Sequence, residues 1–383
     1  MHAESVLAGD PSERAPSGHL RSRVSFARIL IGLIVLICAE AFSGASLQKG
    51  LWHPWTVLVT YWLYFAHFFF FTTLAVRTGR TSLSALYLWG VLFGLYESWI
   101  TKVIWFGYSG DGKFAMGHIG PFGFSELSMV FIFHPVASFI IPLAVTCLLC
   151  PPLRRLFPEL AWFTGKSRGA RVLQAYLVFS FAPVMAFNSG GPINLTVNLA
   201  LAIILLLVLL RLAQPALDAP DGWPIVVFGR WGFGGLCVYL AFLYGVGYVF
   251  LRPEGRPSVA VQLSTFVFYA FAVAGLRLLR RREPLAVAPV EKRELRLITK
   301  LFAVLLALAL GISLIGRNPV LFPAIALNFV VWGLLGFVLA ALSLAQAVRE
   351  SSAIAVTRHK AQRDKDAGEQ SPPGDAPKIA PEE

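Results

Sequence analysis

Four ionisable side chains inside long apolar stretches are the residues of this sequence whose presence most needs a chemical reason. Of the 21 acidic residues, only Glu40 and Glu97 lie well inside apolar segments, and His67 and His134 lie inside two others. An ionisable group within a membrane costs roughly 2.5 to 3.5 kcal/mol on insertion scales, so each one needs a partner or a function. A carboxyl and an imidazole together can move a proton, act as general acid and base, or bind a metal ion. Glu97 and His134 are therefore the candidate catalytic residues.

Glu97 belongs to a stripe of residues on one helical face. Gly90, Gly94, Glu97 and Thr101 are spaced four, three and four apart, which places them on the same side of a helix. The two glycines allow another backbone to approach closely, so Glu97 should be buried beside a partner helix. Lys102 lies about 140° around the axis from Glu97, near enough to the outer interface to extend into it, so a direct pair with Glu97 is not expected.

His134 precedes Pro135, and a proline within a helix removes one backbone hydrogen bond and frees the carbonyl of Phe131 beside a kink. Kinks in spanning helices often border cavities. At a rise of about 1.5 Å per residue, several polar groups reach similar depths in the outer half of the bilayer. Those groups are Glu40, His67, Glu97, His134, Asn198 and Asn328.

This shared depth predicts a shared polar cavity. The candidate substrate-binding or proton-coupling residues around it are Glu40, His67, Thr101, Lys102, Asn198 and Asn328. The alternative is that a neighbouring helix satisfies each group separately, which we favour for the two asparagines, because asparagine often joins helices by hydrogen bonds. Neither the histidines nor the glutamates show the i, i+3 or i, i+4 spacing of a strong metal motif, so a metal or cofactor stays open.

The elements that must position these residues are spanning helices. The chain has 383 residues, 56% hydrophobic and only 14% charged, with a mean hydropathy of +0.67, which excludes a soluble enzyme. Apolar runs of about 20 residues predict an all-α polytopic membrane bundle occupying residues 26–347, between disordered tails at 1–25 and 348–383. The ten predicted spans are 28–47, 55–76, 84–107, 127–150, 171–188, 192–213, 232–252, 258–279, 298–316 and 320–346.

The basic residues indicate orientation and not nucleic-acid binding. The net charge is +12, but 27 of the 33 Lys and Arg residues fall in segments on one side of the ten spans. The positive-inside rule therefore places both termini in the cytoplasm and the chain in the cell membrane, with lipids as its expected partners. We expect the first span to be retained and not cleaved as a signal peptide. The oligomeric state stays open.

Three functions fit these observations. The first is a secondary transporter or permease, in which Glu97 couples protons or binds a small molecule. The second is a membrane-embedded enzyme that acts on a lipid or lipid-linked substrate from the outer leaflet, with Glu97 as general base and His134 as acid or metal ligand. The third is a structural subunit. The outer loop at 107–126 also holds Asp111, His118 and Glu126. These residues could contribute ligands, but we expect them to be solvated loop residues.

Overall fold

The computed structural model describes residues 18–108, 113–114, 116–220, 222–285, 295–316 and 321–369. Within these residues, ten helices are long and apolar enough to cross a membrane, which confirms the predicted polytopic helical bundle. The spanning helices are α1 (Ser22–Ala41), α2 (Thr56–Arg77), α3 (Leu83–Thr101), α4 (Phe124–Leu149), α5 (Arg168–Asn188), α6 (Pro192–Leu217), α7 (Trp223–Phe250), α8 (Val259–Leu278), α9 (Leu295–Ile315) and α10 (Leu321–Ile354).

Helical structure extends past the spans at both ends of the described chain. The first helix begins at Gly18 and the last continues to Glu369, so residues 18–25 and 348–369 are helical where composition predicts disorder. Charged residues separated by helix-forming alanines fill the extension of α10, and such a sequence can continue a helix that packing has already nucleated. Between α3 and α4 lie a short helix at Val103–Phe106 and a two-stranded hairpin, in which His118–Ile119 pairs with Phe122–Gly123.

Helices α1 to α4 form the interior of the bundle, and the later helices surround them. In the apolar 18-residue stretch of each spanning helix, 78% of α3 and 89% of α4 is buried inside the protein, whereas only 11% of α7 is buried. A face that no protein covers is stable in lipid when its side chains are apolar, as they are on α7 and α8. The ionisable groups singled out by the sequence lie on the first four helices, away from this lipid-facing layer.

The predicted approach of a second backbone to the glycines of α3 is confirmed. A Cβ atom added to Gly90 would lie 2.5 Å from the Cα of Pro135, and one added to Gly94 would lie 3.0 Å from the Cβ of His134. Both partner residues belong to α4. Only glycine permits this separation, because any larger residue would force the two helices apart. The contact brings the Glu97 turn of α3 against the His134 turn of α4.

Three stretches of the spanning helices are wound as wide π-helix, at Ile37–Ala41, Thr56–Thr60 and Met129–Ile140. Wide turns of this kind are rare in proteins, and where they occur they often lie at functional sites. The last of them contains Pro135, and the Phe131 carbonyl near it accepts a hydrogen bond from the Tyr87 hydroxyl of α3 at 2.8 Å. Tyr87 thus provides a hydrogen-bond donor for the carbonyl that the proline was predicted to free.

Contacts between loops define the two ends of the bundle. At the end of the bundle where α1 begins and α10 finishes, Arg282 lies 3.1 Å from Glu159 and 3.7 Å from Glu350. At the opposite end, which we call the distal end, the amide of Leu51 donates to Asn198 at 2.7 Å. These contacts join the segments after α4 and α8 to α10 at one end, and the loop after α1 to α6 at the other. The predicted site lies toward the distal end.

Candidate functional site

A carboxyl from α3 and an imidazole from α4 form the centre of the site. The Oε2 atom of Glu97 lies 3.2 Å from Nε2 of His134, and the side chains are only 13% and 6% exposed. The other ring nitrogen of His134, Nδ1, lies 3.1 Å from the Ser138 hydroxyl one turn further along α4. Because a hydroxyl can either donate or accept, Ser138 can pair with Nδ1 whether the imidazole is neutral or protonated.

Glu40 is the second carboxyl of the site. It precedes Ala41, the last residue of α1, which ends six residues before the predicted boundary at 47. The side chain is nevertheless buried, because the loop after α1 folds over it and Ser46 donates a hydrogen bond to its Oε2 atom at 2.5 Å. The hydroxyl of Tyr64 on α2 also bonds to it. Glu40 is close enough to both Glu97 and His134 to interact electrostatically with them.

Glu126 is a third carboxyl, and its predicted place in a solvated loop is wrong. It lies in the first turn of α4 and is only 2% exposed. Ser125 donates to its Oε2 atom at 2.7 Å, and the backbone amide of Tyr108 also bonds to it. A carboxyl in the first turn is favoured by the positive end of the helix dipole. Close packing of the carboxyl over Gly123, where a Cβ would lie 2.1 Å from its Oε2 atom, explains the burial.

Tyr108 connects this third carboxyl to the other two. Its ring is about half exposed, at 48%, and it interacts electrostatically with Glu126, Glu97 and Glu40. We call Glu40, Glu97, Glu126 and His134, with the hydroxyls of Tyr64 and Tyr108, the distal acid cluster. Asp111, which we expected to be a solvated loop residue, lies outside the described residues.

The distal acid cluster combines three carboxyls with one imidazole in a site that is largely closed to water. In such surroundings an unpaired charge is costly, so each group needs a polar partner. Among the residues that the structure describes, no three His, Cys, Asp or Glu side chains are arranged to hold a metal ion together. A carboxyl and an imidazole in contact can transfer a proton between them or to a bound molecule.

Lys102 points away from the cluster and is fully buried, so the expectation that it extends into the interface is wrong. The residue ends α3 in the left-handed backbone conformation, with φ of 60°. Its Nζ atom donates to the Gly247 carbonyl at 3.0 Å and to the Leu251 carbonyl. Both carbonyls lie at the end of α7, where a cation is favoured by the helix dipole. Burial lowers the pKa of Lys102 to about 8. The residue joins α3 to α7.

Thr101 and Asn198 have structural partners of their own. The Thr101 hydroxyl donates to the Glu97 carbonyl at 3.0 Å within the same helix. Asn198 accepts from Leu51 at 2.7 Å, and its amide donates to the carbonyl of Asn194 at 2.8 Å. Asn198 therefore holds the loop that follows α1, which also carries Ser46. It acts on the cluster through that loop and not by facing it.

Asn328 and His67 are also separate from the cluster. Asn328 accepts from the Ser180 hydroxyl at 2.8 Å and joins α10 to α5. His67 is fully buried on α2, and the ring of Phe93 lies between it and His134, with centroid distances of 5.1 and 5.8 Å. Of the predicted site residues, the structure brings Glu97, His134 and Glu40 together. Lys102, Asn198 and Asn328 have their partners elsewhere, whereas Thr101 bonds to the Glu97 backbone and His67 interacts electrostatically with His134 across the ring of Phe93.

Some residues of the site were missed, although part of the signal was present. Ser138 follows His134 by four residues, which is the spacing of helical neighbours. Glu126 precedes His134 by eight residues, about two helical turns. Ser46 and Tyr108 lie in loops, so no periodicity could have assigned them to the cluster.

Comparisons with known proteins show a family but no activity. A family model described as an uncharacterized membrane protein family matches residues 29–358, which include most of the spanning bundle. An uncharacterized protein of Archaeoglobus fulgidus is 34% identical over 117 residues, which make up 30% of this chain and 36% of that protein. The match thus spans about a third of the relative's length. No solved structure matches the chain.

Proposed function

Because the chain belongs to an uncharacterized membrane protein family, we infer its activity from the site, and we propose that it is a proton- or cation-coupled secondary transporter. In this proposal the distal acid cluster is the coupling site. Protonation of Glu97, Glu40 and His134 changes the pairing between α1, α3 and α4 and so couples proton binding to movement of these helices. The transported solute is a small molecule that reaches the cluster past Tyr108.

The pair between Glu97 and His134 carries this proposal. Its atoms lie 3.2 Å apart on two different helices, and the Ser138 hydroxyl beside the other ring nitrogen can accommodate either protonation state. Ionisable groups of this kind inside spanning helices are typical of proton relays in transporters. A merely structural ion pair would have no need of a second carboxyl, Glu40, within electrostatic range of both partners.

Orientation and location form part of the proposal. The excess of Lys and Arg residues at the end of the bundle that carries the termini supports a cytoplasmic location for that end. The distal end then faces the outside of the cell membrane. A reporter active only outside the cell should be inactive when fused after the described chain at Glu369 and active when inserted in the loop at 116–121. Activity of the terminal fusion would contradict this orientation.

Proton movement in proteoliposomes tests the transport proposal. Vesicles containing the purified protein and an internal pH-sensitive dye are exposed to amino acids, organic acids, sugars and monovalent cations, one class at a time. We expect at least one class to drive proton movement in the wild type, and Glu97→Gln to abolish it, because the amide keeps the shape of the side chain but cannot bind the proton.

The matched control is Glu254→Gln, which makes the same change in an exposed glutamate at the distal end. It should retain wild-type proton movement. Thermal unfolding in detergent establishes that both variants fold. Undiminished proton movement in Glu97→Gln, or no movement with any solute class in the wild type, would contradict the proposal.

A second candidate function rests on the order of hydrogen bonds Ser138, His134, Glu97, which resembles the nucleophile, base and orienting acid of a serine hydrolase. This arrangement would support a membrane enzyme acting on lipids. Ser138 is 0% exposed, however, so a lipid ester could reach it only after α4 moved. Covalent labelling of Ser138 by a fluorophosphonate probe, with loss in Ser138→Ala, would favour the enzyme over the transporter.

A further inference from the structure

A separate cavity lies on the other side of Phe93 from the distal acid cluster. It is bounded by α2, α3, α7 and α8 and has a volume of about 510 Å³, within the 300 to 1,000 Å³ typical of ligand pockets. Seven of its ten lining residues carry aromatic rings, among them His67, Tyr96, Phe266 and Tyr269. Phe266 is 51% exposed on the lipid-facing side of α8, so a ligand can enter from the bilayer.

Two polar atoms in the wall of this cavity have no partner. The Nε2 atom of His67 and the hydroxyl of Tyr269 are both buried without a hydrogen bond. His67 is 0% exposed, so a ligand reaches its Nε2 atom only when a neighbouring ring, such as that of Tyr96, turns aside. The Nδ1 atom of His67 lies 2.7 Å from the Leu63 carbonyl. A carbonyl only accepts, so the ring proton must be on Nδ1 and Nε2 is left as an acceptor. An unpaired buried group costs free energy that a ligand can recover.

These features restrict the ligand. It must donate a hydrogen bond to His67, since Nε2 cannot donate, and it can accept one from Tyr269. A charged ligand does not fit, because the lining contains no Lys, Arg, Asp or Glu side chain. The rings of Tyr96, Phe93 and Phe71 surround the imidazole, with centroids 4.5, 5.1 and 6.4 Å away. Aromatic walls favour a ligand that itself carries a ring.

We propose that this cavity binds a lipophilic phenol, the chemistry of a reduced membrane quinone, with the phenolic hydroxyl on His67 Nε2 and the ring among the aromatic side chains. His67 lies near the middle of α2, so the bound ring would sit deep in the bilayer with its apolar tail toward the lipid. The proposal does not depend on transport, since no residue of the distal acid cluster lines the cavity.

Cys237 provides a direct measure of occupancy. It lines the cavity and is a free, partly exposed thiol, whereas Cys38, Cys147 and Cys150 are buried. The rate of its alkylation by N-ethylmaleimide is measured by peptide mass spectrometry in protein reconstituted in phosphatidylcholine nanodiscs. The probes are 4-nonylphenol and 4-nonylanisole, which have nearly the same shape but differ in the hydrogen-bond donor.

We expect 4-nonylphenol to protect Cys237 at a concentration about three- to tenfold lower than 4-nonylanisole, the ratio that one net hydrogen bond gives. His67→Phe keeps an aromatic ring but removes the acceptor, so it should abolish this preference. Tyr239→Phe, on α7 but outside the cavity, should keep it. Should His67→Phe fail to fold, Tyr269→Phe tests the second polar partner and should raise the protecting concentration of both compounds, because the oxygen of either one can accept a hydrogen bond from Tyr269.

Several results would overturn this assignment. Equal protection by the phenol and the anisole in the wild type would exclude the hydrogen bond to His67, as would an unchanged preference in a folded His67→Phe. Absence of protection by either compound would exclude occupancy of the cavity. If 1-dodecanol protected as well as the phenol, the ligand would be an aliphatic alcohol and not a ring compound.

Discussion

Replacement of Gly90 by alanine should separate the two helices that carry the site. The added Cβ would lie 2.5 Å from the Pro135 Cα and 3.2 Å from its carbonyl oxygen. Carbon atoms in contact are about 3.5 to 4.0 Å apart, so α4 must move by about 1 Å. Overpacking costs typically about 1 to 3 kcal/mol, of which the better helix propensity of alanine offsets about 0.8 to 1.0 kcal/mol.

The movement also affects the site, because His134 adjoins Pro135. A shift of about 1 Å would lengthen the 3.2 Å separation of Glu97 and His134 beyond hydrogen-bonding range. We therefore expect Gly90→Ala to lower both the midpoint of thermal unfolding in detergent and the proton movement in proteoliposomes. Gly245→Ala on α7 is the matched control, since nothing lies within 4 Å of its Cβ position. Equal unfolding midpoints for the two variants would refute the close packing at Gly90.

Two further predictions concern residues outside the cluster. Asn198→Ala leaves the buried Leu51 amide without its acceptor, so it should lower the free energy of unfolding by about 1 to 3 kcal/mol. It should also increase proteolysis of the loop at 42–55, while Glu97 keeps its role. A loop that stays uncleaved would count against this prediction. For Lys102, burial lowers the pKa from 10.5 to about 8, so between these pH values the unfolded chain binds more protons than the folded one. The unfolding midpoint of the wild type minus that of Lys102→Met should therefore increase as the pH is raised from 8 to 10.5. A difference that stays constant or falls would contradict the lowered pKa of Lys102.

The number and order of the helices could be predicted because hydropathy alone determines which segments enter a membrane. Helix ends were less predictable. The π-helical turn at Ile37–Ala41 ends α1 early, since the chain bends at Ser43 and Gly44 to fold back over Glu40. Such a reversal depends on tertiary contacts with α5 and α6, for example the bond from Asn188 to the Ser43 carbonyl at 2.8 Å, which periodicity does not record.

The central pair of the site followed from the sequence, and its surroundings did not. The glycine stripe on α3 predicted a close partner helix beside Glu97 without identifying it as α4, and the proline after His134 predicted a kink that borders a cavity. Shared depth was a weaker guide, because Asn198, Asn328 and Glu97 lie on different sides of the bundle. Depth gives one coordinate of a residue, whereas its direction around the helix and the packing order of the helices give the others. The roles of these residues remain predictions.

Infrared difference spectroscopy of the purified protein between acid and neutral pH tests most directly whether the cluster exchanges protons as one unit. The protonated carboxyl stretch should change with pH in the wild type and lose a component in Glu97→Gln. It should shift in His134→Gln, because an amide then replaces the imidazole that lies 3.2 Å from Glu97. Glu254→Gln should leave the buried carboxyl signal unchanged. A wild-type spectrum without a buried carboxyl change, or one identical in Glu97→Gln, would show that Glu97 binds no exchangeable proton and would contradict the account.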